Sequence, residues 1–231
     1  PLGCAFCATG KGGFVRDMTA GEITGHFLAM ELHLGASVQN VVLMGMGEPF
    51  HNYEQALRAC RLLNDPAGFR LAARSISVST AGVVPGIDRF AAEPLQLNLA
   101  VSLHAATDAL RDRLVPLNRT YPLEAVFAAC ERYVGRTRRK LLFEYVVLRG
   151  VNDTAEETAA LARRLRRPLY HLNLIAYNET GGEFSSPRPE EVEALRRRLE
   201  GAGVSVTVRR SPGGDIEAAC GQLALRSDAV A

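Results

Sequence analysis

Short apolar runs alternate with helical stretches along almost the whole chain. That alternation restricts it to an α/β fold whose parallel strands are joined by right-handed crossovers. Runs at residues 38–45, 75–79, 97–102, 141–148, 170–175 and 204–208 read as six strands. The first is apolar nearly throughout, the pattern of a strand buried on both faces. Helical spacing covers residues 53–63, 123–133, 155–166 and 190–199 between them. A further helix carries its own boundary signals. Thr19 and Glu22 form a T-x-x-E capping box, Ile23, Phe27, Met30 and Leu34 recur at helical spacing, and Gly35 supplies a left-handed stop. In such folds ligands bind at the carboxyl ends of the strands, so chemistry is sought just past each strand end.

With 231 residues and 47% hydrophobic content the chain can bury one large core, and no repeat or long linker divides it. A single domain over 1–231 is the expectation. No apolar run is long enough for a bilayer span and no secretory leader is present, which points to a soluble, cytoplasmic protein. A net charge of +2 is too small to attract nucleic acid in bulk, so any RNA contact must rest on local patches. Five cysteines, an odd number, favour metal, redox or packing roles over a disulfide framework. The chain opens on Pro1 and is expected to be a fragment or a processed product.

Cys4-Ala-Phe-Cys7, followed by a glycine-bearing loop, brings two thiols within reach of one metal centre. A redox pair of the thioredoxin kind belongs at a helix start, and no helical pattern begins before Thr19. A structural zinc needs a second nearby pair of Cys or His, which the sequence lacks. An accidental pair of structural thiols is the remaining alternative. Residues 44–49, Met-Gly-Met-Gly-Glu-Pro, follow the first strand and place Glu48 at the active end, where a carboxylate can receive an ammonium group; a turn with a solvated Glu is the plain alternative. Residues 77–82 and 101–104 end the next two strands and offer hydroxyl, imidazole and backbone groups. Serines at strand ends and a lone His such as His104 are commonly structural. Asn178 closes a later strand, where an Asn in a turn is also commonplace. Cys60 and Cys130 lie within amphipathic helices and are assigned to packing. Cys220, alone beside alanines, reads by itself as a small buried hydrophobe.

Taken together these segments resemble the RlmN/Cfr family of radical-SAM RNA adenine methyltransferases. The opening Pro-Leu-Gly-Cys-Ala-Phe-Cys-Ala-Thr-Gly is similar to the C-x3-C-x2-C cluster loop with its first Cys immediately before Pro1. Residues 44–49, 79–82, 102–104, 173–178 and 208–223 continue the match to the carboxyl end. The resemblance implies a partial (β/α)6 TIM-like barrel of the radical-SAM type, its first strand missing from the chain. It implies a [4Fe–4S] cluster on Cys4 and Cys7, with S-adenosylmethionine held by Gly47, Glu48, Ser79, Ser102, Leu103, His104 and Asn178. Cys220 becomes the methyl-carrying nucleophile, and Arg209 and Arg210 become candidate RNA phosphate contacts. A departure is Asn178-Glu179, where many relatives carry Asn-Pro.

The implied reaction methylates C2 of an adenosine in 23S ribosomal RNA and in tRNA, with C8 as the sister activity. Cys220 takes a methyl group from one S-adenosylmethionine, and reductive cleavage of a second activates that methyl toward the ring. An electron donor such as flavodoxin or ferredoxin is implied, with no membrane and a monomeric protein. The family's general base, resolving Cys and small RNA-binding domain precede the position of Pro1, so this stretch alone is expected to be inactive. A metal- or RNA-binding module without activity is the reading from another class.

Overall fold

The structure, a computed structural model, describes residues 2–11, 13–209 and 222. Arg210 and Cys220 lie outside the described residues. Six strands, β1 (Val41–Leu43), β2 (Ile76–Thr80), β3 (Asn98–Ser102), β4 (Leu141–Val147), β5 (Tyr170–Ala176) and β6 (Val206–Arg209), pair in sequential order, every pair parallel. The described helices are α1 (Ala8–Lys11), α2 (Ala20–Leu34), α3 (Tyr53–Asn64), α4 (Val84–Phe90), α5 (Asp108–Leu114), α6 (Leu123–Thr137), α7 (Ala155–Leu165) and α8 (Pro189–Gly201). Short 3-10 turns cover Ala73–Ser75 and Pro116–Arg119. Because each crossover steps to the adjacent strand in one direction, the sheet has the parallel order expected from the alternation and is the open, partial β/α barrel that the family resemblance implies.

The two faces of this sheet are made from alternate residues of the same strands. Ile76, Val78, Leu99, Val101, Phe143 and Leu172 point outward and are fully buried in the main core. Leu57 of α3, Val126 of α6, Leu161 of α7 and Leu195 of α8 meet them there. Each such side chain contributes about 1.5–3 kcal/mol by leaving water. Cys60 and Cys130 belong to this layer, as expected; burial pushes both thiols up, that of Cys60 to about 12. The opposite face is polar. Ser77, Glu144, Asn173 and Arg209, with Val42 and Met44, line a cavity of about 340 Å³ that reaches down to Arg74 and Ser75 at the amino ends of the strands.

The capping box at Thr19 is present, with Glu22 N donating to Thr19 Oγ1 and Thr19 N donating to Glu22 Oε2, and Gly35 ends α2 at φ 60°. Three expectations are corrected. The strand read over 38–45 pairs only over Val41–Leu43, and Val42 is 49% exposed, because β1 is the edge of the described sheet. Of the apolar residues on α2, Met30 and Leu34 are exposed, because this helix buries only Ala20, Thr24 and Phe27. A helical turn, α1, does begin before Thr19, directly after Cys7.

Candidate functional site

The Cys4 loop is held at the carboxyl end of the sheet by backbone and ring contacts. Cys7 N donates to Cys4 O at 3.1 Å, Gly10 N donates to Cys7 O at 3.1 Å, and Ala5 N donates to Leu114 O at the end of α5 at 3.0 Å. A Cβ at Gly10 would stand 3.2 Å from both Cys4 N and Cys4 O, so any side chain there would press the turn open by a few tenths of an ångström. Phe6 is buried in a second apolar cluster with Leu114, Val115 and Val146, and its ring lies edge-on to His104 with centroids 4.7 Å apart. Cys4 and Cys7 pack against that cluster, half-buried, with free thiols. Burial, then the neighbouring Cys7, pushes the Cys4 thiol up to about 12, against the pull of Arg111. A redox nucleophile needs the reverse. Burial of Cys4 thus counts against the thioredoxin-type reading, although α1 does follow the loop. Soft thiol donors on one rigid loop fit two corners of an iron–sulfur cluster. Among the described residues no set of three or more Cys, His, Asp or Glu side chains forms a complete metal site.

Around this loop the carboxyl ends of β1 to β4 are stitched together by buried polar side chains. Gly47, at φ 96°, turns the chain so that Glu48 is buried beneath it. The two Glu48 oxygens accept Phe50 N at 3.0 Å and Ala81 N at 2.7 Å, linking the end of β1 to that of β2. Burial raises the Glu48 pKa against those two amides. Ser79 Oγ and Ser102 Oγ lie 3.2 Å apart across β2 and β3. Leu103 is fully buried; its N–H donates to Glu144 O at 2.9 Å and its carbonyl accepts Arg111 Nε at 3.1 Å, so its own contribution is shape. His104 Nδ1 accepts Val146 N at 3.1 Å, which assigns the remaining proton to Nε2. Burial, with Arg111 nearby, drops its pKa to about 3, so the ring is neutral. Asn152 completes the stitching, donating from Nδ2 to His104 O at 2.9 Å and Val146 O at 2.7 Å.

A family model, that of the Radical SAM superfamily, matches residues 1–162. A probable dual-specificity RNA methyltransferase RlmN of Desulforudis audaxviator is 48% identical over 228 residues, covering 97% of this chain and 71% of that protein. The chain belongs to the RlmN family of the radical SAM superfamily. An RlmN relative in Symbiobacterium thermophilum, carrying the same probable name, is 46% identical over 98% of this chain and 62% of its own length. The chain therefore spans about two thirds of the curated relatives it matches. The crystal structure of a radical SAM methyltransferase from Sphaerobacter thermophilus superposes with a TM-score of 0.92 at 49% identity, covering 96% of this chain and 66% of that one.

Within this RlmN-family fold, Cys4, Cys7, Gly47, Glu48, Ser79, Ser102, Leu103 and His104 all gather at the carboxyl end of the barrel. Asn178 follows β5 in a loop shaped by its neighbour, for Tyr177 Oη lies 2.7 Å from Thr180 Oγ1 and accepts Thr180 N at 3.2 Å. Arg209 points its guanidinium at Glu144 Oε2, 3.2 Å away, and Glu144 Oε1 accepts Asn173 Nδ2 at 2.9 Å. Its charge is thus engaged on the sheet's polar face and not held out toward a phosphate. Among the described residues no helix is long and apolar enough to cross a membrane. Sequence reasoning missed Arg111 and Asn152. Arg111 stands in a run of alternating charges that reads as a solvated helix face, and Asn152 in a turn; no local signal marks either.

Proposed function

We propose that the full-length protein places a methyl group on C2 of an adenosine in 23S ribosomal RNA and in tRNA, with the described barrel as its catalytic core. The observation that carries the reading is the seating of the Phe6 ring against His104, which joins the cysteine loop to the strand ends bearing Glu48, Ser79 and Ser102. The names of the RNA methyltransferase relatives supply the substrate class. Cys4 and Cys7 would hold two corners of a [4Fe–4S] cluster, which with bound S-adenosylmethionine supplies one-electron cleavage chemistry. Glu48 keeps lone pairs beyond the two amides it accepts, and takes the ammonium of S-adenosylmethionine. Ser79 and Ser102 present a hydroxyl pair, and His104 presents a neutral Nε2–H, to the polar groups of the same molecule. Gly47 and Leu103 shape that wall, and Asn178 closes it from the β5 side.

Cys220 is the methyl carrier in this reading, its thiolate acting as nucleophile toward one S-adenosylmethionine. Arg210 meets RNA phosphate, and Arg209 joins it by exchanging Glu144 for the phosphate. A flavodoxin or ferredoxin supplies electrons to a cytoplasmic monomer. The test is anaerobic reconstitution of the full-length protein with transcripts of both RNAs, followed by mass spectrometry of the digested product. A methyl group at C2, lost in Cys220→Ala, is the expected result. Methylation at C8 moves the protein to the sister activity. Methylation unaffected by Cys220→Ala, or protein without iron, overturns the proposal.

A further inference from the structure

The cavity of about 340 Å³ on the inner face of the sheet has the size of a small-ligand pocket, and the function proposed above assigns nothing to it. It adjoins the wall given to S-adenosylmethionine. Ser102 and Glu144 are register partners on β3 and β4, and Glu144 and Asn173 are partners on β4 and β5. Register partners share a face of the sheet, so the hydroxyl pair of Ser79 and Ser102 runs on into Glu144 and Asn173 as one polar belt. A ligand in the cavity therefore lies beside the cofactor wall.

Among the described residues Glu144 is the one carboxylate lining this cavity, and its side chain is 5% exposed. Oε1 accepts Asn173 Nδ2 at 2.9 Å and Oε2 accepts Arg209 Nη1 at 3.2 Å. Asn173 is also buried, and among the described residues its Oδ1 accepts no hydrogen bond. Arg209 is the more exposed partner, and the function proposed above draws it away to an RNA phosphate. That exchange leaves Glu144 a buried carboxylate stripped of its cation, a strongly unfavourable state. A substrate that takes Arg209 must bring a donor of its own to Glu144.

We propose that Glu144 and Asn173 recognise the exocyclic amino group of the substrate base, Glu144 Oε2 and Asn173 Oδ1 each accepting one of its N–H groups. An adenine amino group supplies both donors. A 6-oxo purine sets a carbonyl oxygen against the carboxylate with no proton between them, so the pair selects against it. The inference rests on the RNA methyltransferase reading, and its test separates the two.

Full-length, anaerobically reconstituted enzyme is given two synthetic RNAs together, identical except for inosine in place of the target adenosine. The ratio of methylated products, read by mass spectrometry, is the ratio of kcat/KM values. Wild type is expected to prefer adenosine by about tenfold or more. Glu144→Gln, whose amide N–H donates to a 6-oxo group, should lower that preference by about tenfold, and Asn173→Ala by about threefold. Comparison of each variant with wild type cancels the intrinsic difference in reactivity between the two bases, and a merely structural role would leave the preference unmoved. Should Glu144→Gln fail to fold, Asn173→Ala decides: a lowered preference supports the proposal and an unchanged one overturns it. Folded Glu144→Gln with the wild-type preference overturns the role of Glu144 alone. Wild type that methylates neither RNA removes the methyltransferase reading and this inference with it.

Discussion

Phe143 and Glu144 are consecutive residues of β4 that face opposite sides of the sheet, and they show two kinds of construction. Outward, Phe143 packs between Phe127, at 5.5 Å between centroids, and Tyr170, at 5.0 Å, inside a core of aliphatic and aromatic neighbours. Inward, Glu144 holds a hydrogen bond from Asn173 and an ion pair with Arg209 beside an open cavity. Burial of apolar area is non-directional and spread over many residues, so the outer face holds the fold together. Hydrogen bonds are directional and each depends on one partner, so the inner face and its carboxyl rim set geometry at single residues. The fold is robust on one side and exacting on the other.

Phe143→Ala tests the outer half of that contrast. It should cost about 3–5 kcal/mol in urea unfolding; a loss below about 1 kcal/mol would show that the outer core does not carry the stability. Next comes the rim, through His104. A fully buried imidazole with its pKa near 3 stays neutral while the unfolded chain takes up a proton near the ordinary value of 6.5. Its contribution is therefore complete above pH 6.5 and is lost as pH falls toward 3, at up to about 1.4 kcal/mol per pH unit. Asn at position 104 keeps an acceptor for Val146 N and tolerates the local φ of 59°. Urea midpoints of wild type should thus fall more steeply than those of His104→Asn between pH 7 and pH 5, and parallel slopes would break the assignment.

On the inner face, Glu144→Gln should cost about 1–2 kcal/mol, the value of a charged hydrogen bond discounted for a partner, Arg209, whose side chain is 39% exposed. A cost matching that of Phe143→Ala would erase the distinction between the faces. Ser79→Ala is the mildest, about 0.5 kcal/mol in stability. Isothermal titration should nonetheless show about tenfold weaker S-adenosylmethionine binding, as loss of one site hydrogen bond predicts. Unchanged affinity would remove Ser79 from the site.

Much of the architecture was legible because period is a local property. Strand runs and helical stripes declared five strands nearly to the residue, and the Thr19 box and Gly35 stop bounded α2. The short helices α1, α4 and α5 went unseen because their few turns complete no apolar stripe. β1 was read too long because an apolar run reports hydrophobicity, and hydrogen-bond pairing depends on a neighbour elsewhere in the chain. At the carboxyl rim, Glu48 and His104 stand in motifs that single them out in the sequence. Asn152 carried no such mark, since its meaning lies in carbonyls on two other segments.

By itself the sequence determined the alternation, hence a parallel sheet, and it determined the thiol spacing of Cys4 and Cys7. Both follow from covalent order, which sets the periodicity of side chains and the reach of a loop. Only the tertiary structure decided that Glu48 and His104 are buried braces of the rim, that Arg209 meets Glu144, and that one guanidinium, that of Arg111, ties the ends of β2 and β3 to α5. Burial and hydrogen bonding are properties of what surrounds a residue, and for Arg111 the partners stand 30, 9 and 8 positions earlier and 7 positions later in the chain.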